Sequence, residues 1–87
     1  MKKTRDSMSP GIGLMKRRLE KEKDAIALAI SGIAKNHNIQ PENIKTLETK
    51  YDINLGDWYV ALGWDEKKAI IKMDSVQGTI TEIKEIQ

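Results

Sequence analysis

Trp58-Tyr59-Val60-Ala61-Leu62-Gly63-Trp64 is a run of seven residues without a charge, in a chain of 87 residues of which 32% are charged. Aromatic and β-branched residues make up most of it, and it is too short for a buried helix, so it reads as a strand. Side chains alternate across a strand. Trp58, Val60, Leu62 and Trp64 therefore share one face, and Tyr59, Ala61 and Gly63 share the other. The first set is the face that a covering helix would bury.

Toward the C-terminus, Asp65-Glu66-Lys67-Lys68 reads as a polar turn into a strand over Ala69 to Met73, and Asp74-Ser75-Val76-Gln77-Gly78 as a second turn into Thr79 to Ile86. Thr79 and Thr81 after a Gly turn favour a strand for that last segment, while the spacing of Ile80, Ile83 and Ile86 leaves a terminal helix open. Toward the N-terminus, Asn54-Leu55-Gly56-Asp57 is a turn, and Ile44 to Tyr51 alternates with Leu47 and Tyr51 on one face and Thr46, Glu48 and Lys50 on the other. Connections this short make the sheet an antiparallel meander.

Before Pro41 the period changes. From Leu14 to about Asn36 the residues are good helix formers, and Met15, Leu19, Ile26, Ile30 and Ile33 recur at helical spacing. Asn36-His37-Asn38 tolerates a left-handed end and Pro41 prevents continuation, so the helix is expected to stop near Lys35. Ser9-Pro10-Gly11-Ile12-Gly13 disfavours both helix and strand. The expectation is α+β: one long N-terminal helix packed on a three- to four-stranded antiparallel meander, with residues 1–13 as a flexible basic tail and 14–87 as a single domain.

A chain of this length holds one small core. With two Trp, two Tyr and no Phe, it must be built mostly from Ile, Leu, Val, Ala and Met. There is no Cys to form a disulfide, and one His is too few for the usual zinc sites, so no metal or cofactor is expected. Self-association is the remaining support for a small fold. The longest apolar run, Ala25 to Ile30, is far short of the roughly 20 residues of a membrane helix. The charged start runs into Ser7-Met8-Ser9-Pro10 rather than an apolar segment, which points to a cytoplasmic protein.

The net charge of +2 is unevenly spread. Residues 1–23 carry eight basic against three acidic residues, or +5, and the remaining 64 carry seven against ten, or −3. A basic arm on an acidic body suits a solvated tail, nucleic acid or an acidic partner. Lys2, Lys3, Arg5, Lys16, Arg17 and Arg18 are the candidate phosphate contacts.

The strand pattern points elsewhere. A sheet covered on one side should alternate with polar residues on the other. Tyr59, Ala61 and Gly63, with Ile70 on the next strand, instead leave an uncharged outer patch, and Leu28 lies off the main helix stripe. Apolar patches of this kind mark interfaces. A homodimer through the sheet face or the helix is therefore expected, binding a further protein partner. Catalysis is not: His37 sits among Asn residues at a helix end, and Asp65-Glu66 and the Asp52, Asp57 pair fall in solvated turns. Trp58 and Trp64, which could stack on bases, lie on the face to be buried.

The run Asp24-Ala25-Ile26-Ala27-Leu28-Ala29, then Trp58 to Leu62, then Ile70-Ile71-Lys72-Met73-Asp74 leading through Gly78 to Thr79-Ile80-Thr81-Glu82-Ile83, resembles a PepSY-type module. Gln77 stands where that pattern has Thr. The resemblance covers residues 24–86 and implies a helix-plus-meander module for protein interaction and regulation of peptidases. Gly56-Asp57-Trp58, the basic N-terminal helix and the Asp74 to Gly78 hairpin are also similar to gas-vesicle accessory protein O. Neither family implies catalytic residues.

Overall fold

A computed structural model of the chain describes residues 17–86. Helix α1 (Glu22–His37) is followed by a single 3-10 turn at Pro41–Asn43 and by strands β1 (Lys45–Asp52), β2 (Asp57–Trp64), β3 (Lys67–Asp74) and β4 (Thr79–Ile86). The strands pair antiparallel in chain order. With α1 on one face, this is the expected α+β class, and the segment left open as strand or helix is the fourth strand. The expected tail, residues 1–13, lies outside the described residues, as does Met15.

The helix is shorter than its sequence suggested, 16 residues beginning at Glu22 rather than Leu14. Lys21 is the extended residue before it, at φ −107° and ψ 143°. Residues 17–21 instead form a strap, tied to the sheet at Leu19: its N–H donates to the Ser75 carbonyl, and its own carbonyl accepts from the Trp58 indole, both at 2.9 Å. Leu19 is thereby buried in the core, but not on a helical stripe. Charge explains the boundary. Glu22 and Asp24 occupy the first turn, where the helix dipole favours anions, whereas a start at Leu14 would put Lys16, Arg17 and Arg18 there. At the other end Asn38 takes the left-handed conformation, φ 56°, and donates its N–H to Ala34.

The helix face turned to the sheet is also smaller than expected. Ala25, Ala29 and Ile33 are the buried positions, with Ile26 and Ile30 flanking them half-buried. The sheet supplies the volume through Trp58, Trp64, Ile71 and Met73, so the helix meets it with small side chains and comes close. At Gly32 a β-carbon would stand 2.6 Å from Ile80 Cδ1.

Two bulges re-aim side chains on the edge strands. In β1 the register shifts between Thr46 and Glu48. Leu47, expected to share a face with Tyr51, is 51% exposed and lies over Gly63 instead, on the opposite side of the sheet from the helix. In β4 the extra residue is Thr81, between the Glu82 and Ile80 pairings with Lys72 and Met73. It brings Ile80 and Ile83 both against the core, which is why their spacing of three imitates a helix.

The first and third hairpins share one design. Asp52 Oδ1 accepts the N–H groups of Asn54 and Leu55, and Asp74 Oδ1 those of Val76 and Gln77. Gly56 and Gly78, at φ 74° and 72°, close the turns by donating to the carbonyls of Asp52 and Asp74, at 2.8 Å in both. Buried Ser75 locks the two together, its Oγ donating to Gly56 O at 2.7 Å. The middle hairpin turns on Asp65 and Glu66, both at positive φ.

Candidate protein interface on the outer sheet face

Strand β2 alternates buried and half-buried along its whole length, so its register with β1 and β3 decides what lies on the side away from α1. Tyr59 stands between Lys50 and Lys72, Ala61 between Glu48 and Ile70, and Gly63 between Lys45 and Lys68. On β4, Glu82, Lys84 and Ile86 continue these rows beside Lys72, Ile70 and Lys68. The result is an apolar centre within a ring of charged side chains.

Two shallow concavities mark this face. One, of about 270 Å³, is lined by Glu48, Lys50, Tyr59, Ala61 and Ile70. The other, of about 280 Å³, has Leu47 and Gly63 in its lining, with Lys45 and Lys68 beside them. Small side chains at Ala61 and Gly63 create the hollows, and Tyr59, Leu47 and Ile70 form their raised borders. Ile70 is 36% exposed.

Four of the five interface residues expected from sequence, Tyr59, Ala61, Gly63 and Ile70, thus lie together on one face. Leu28 does not join them. It is half-buried on the helix and packs against the core, on the other side of the sheet. Of the expected phosphate contacts, Lys2, Lys3, Arg5 and Lys16 lie outside the described residues. The Arg17 guanidinium rests 4.7 Å over the Tyr51 ring, and the Arg18 side chain lies against Gly78, its Cβ 3.2 Å from where a β-carbon there would stand.

His37, expected among Asn residues at the helix end, bridges elements. Its Nε2 donates to Glu85 Oε2 on β4 at 2.7 Å, and its ring tilts against Trp64 with centroids 5.0 Å apart. The cap itself is Asn38. The carboxylates expected in turns divide: Asp65 and Glu66 form a turn, while Asp52 and Asp57 are cross-strand neighbours at the ends of β1 and β2. Asp57 also neighbours Asp74, and its Oδ2 lies 3.9 Å from Lys72 Nζ.

Sequence reasoning missed two apolar members of the outer face, Leu47 and Ile86, which are 51% and 42% exposed. The bulge that turns Leu47 outward carries no residue code. Ile86 was visible in the sequence, but its face depends on the Thr81 bulge. No helix among the described residues is long and apolar enough to cross a membrane. No known protein family, curated protein or solved structure matches the chain.

Proposed function

We propose that this chain is a non-enzymatic interaction module that works as a homodimer joined through the outer face of its sheet, and in that form engages or regulates a protein partner. The observation that carries the reading is the strip Tyr59, Ala61, Gly63 and Ile70: an uncharged centre on the one sheet face that α1 leaves uncovered. Four strands about 4.8 Å apart and eight residues long at about 3.3 Å each offer roughly 500 Å² of face, or roughly 1,000 Å² over two partners. That is the lower end for a specific interface, which suits a reversible, micromolar assembly. Protein interaction and regulation is also the role that the PepSY resemblance implies.

Light scattering over a concentration series tests this. The expected mass rises toward twice the 9.9 kDa chain, and Ala61→Arg, which fills the central hollow with a charged side chain, keeps the protein folded and monomeric. A dimer that Ala61→Arg leaves intact would remove the sheet face as the interface. The charge of +5 over residues 1–23 supports a second reading, phosphate binding by the basic arm. Five contacts to duplex DNA would give a log-log salt slope of about −4.5, and a flat salt response would exclude it.

A further inference from the structure

The charges of the outer face form an ordered pattern. The cross-strand register arranges them in four rows running from β1 to β4. The first is Lys45, Gly63, Lys68 and Ile86; the second is Glu48, Ala61, Ile70 and Lys84. The third is Lys50, Tyr59, Lys72 and Glu82, and the fourth is Asp52, Asp57, Asp74 and Thr79. One end of the face is basic and the other acidic. Between them, β1 and β4 each carry a Glu and a Lys two residues apart, in opposite order along the face.

Resting on the homodimer reading above, we propose that the second copy lies over this face turned about a two-fold axis perpendicular to the strands, so that each strand runs antiparallel over its own copy. The first row then faces the fourth, and the second faces the third. Lys45 meets the partner's Asp52, and Lys68 meets the partner's Asp74. Glu48 meets the partner's Lys50, and Lys84 meets the partner's Glu82. By symmetry each of these pairs forms twice. The two charges left over, Asp57 and Lys72, pair within their own chain. At the centre the Tyr59 ring faces the partner's Ala61, a large side chain over the hollow that a small one makes. Sheets stacked face to face stand about 10 Å apart, a gap that a lysine and a carboxylate side chain bridge together.

The other two-fold stacking, with its axis along the strands, is poorer. It sets Asp57 against the partner's Asp74 twice, and leaves Lys45 and Lys68 facing Ile86 and Gly63 of the partner subunit. Like charges brought together across an interface work against it, so the charge order selects the antiparallel stacking.

Glu82→Lys and Lys84→Glu test the orientation, since both positions are exposed on the edge strand. Either variant alone sets like charges against each other at two places in the dimer. Each is expected to weaken self-association about tenfold in low salt, read by sedimentation equilibrium, with folding checked by circular dichroism. Mixing the two variants re-creates both opposite-charge pairs, so the mixture is expected to recover the wild-type affinity. Under the other stacking it would not, because residues 82 and 84 would face the partner's Lys50 and the partner's Glu48. Glu82→Lys places a lysine beside Lys72; if that unfolds the chain, Glu48→Lys mixed with Lys50→Glu reads the same prediction on β1. A wild-type dimer that the variants do not weaken, or that mixing does not restore, overturns the orientation and leaves the homodimer standing. A wild-type chain that stays monomeric at about 1 mM, the scale of a 4 kcal/mol association, overturns both.

Discussion

Replacing Lys21 with Ser decides between a helix that begins at Glu22 and one that begins at Leu14, because the two readings predict opposite signs. Lys21 is extended, its carbonyl accepts the N–H groups of Asp24 and Ala25 at 3.1 Å, and its side chain makes no capping bond. A Ser hydroxyl there would accept from the N–H of Lys23, a gain of about 1 kcal/mol. Removing a positive charge from the dipole's positive end adds about 0.3 kcal/mol. For a domain of this size the sum raises the thermal midpoint by about 6 °C. In the interior of a helix running from Leu14, the same change would exchange a good helix former for a poorer one and cost about 0.5 kcal/mol, a fall of about 3 °C. Thermal unfolding followed by far-ultraviolet circular dichroism reads the difference. A lowered midpoint would refute the strap.

Two further substitutions test the strap and the hairpins. Trp58→Phe leaves the buried Leu19 carbonyl without its indole donor, and is expected to cost about 2 kcal/mol and lower the thermal midpoint by about 10 °C; an unchanged midpoint would show that this bond holds nothing. Asp65→Asn with Glu66→Gly supplies the residue types that a two-residue turn with two positive φ values prefers, and should raise stability by about 1 kcal/mol in urea denaturation. No shift in the urea midpoint would mean that the turn is not held in this conformation.

How far the molecule was legible follows from which interactions set each feature. The faces of β2 could be read directly, because strict alternation in an uncharged run leaves one arrangement, and Tyr59, Ala61 and Gly63 followed from it. The Asp-to-Gly turns were legible because their chemistry is local: a carboxylate accepting two nearby N–H groups and a glycine at positive φ. The same build at Asp52–Gly56 and Asp74–Gly78 shows that the hairpin motif is a folding device.

The remaining features depend on contacts distant in sequence. Helix propensity extends through Arg17 to Lys21, but Trp58 and Ser75 bind Leu19 and override it. Glu22 and Asp24 were the local sign of the true start. The helical period was visible, yet the bulk of Trp58 and Trp64 selects the face bearing Ala25 and Ala29 rather than Ile26 and Ile30. Leu47 was assigned to the wrong face because a single inserted residue reverses everything before it. The charge rows of the outer face exist only once the register is known.

The most direct measurement of the central claim is a dilution series followed by amide chemical shifts. If the outer face joins two copies, the N–H signals of Tyr59, Ala61, Gly63 and Ile70 move together with concentration along one binding curve, while those of Ala25, Ala29 and Ile33 on the helix stay fixed. Shifts confined to α1 around Leu28, or none at all up to about 1 mM, would contradict it.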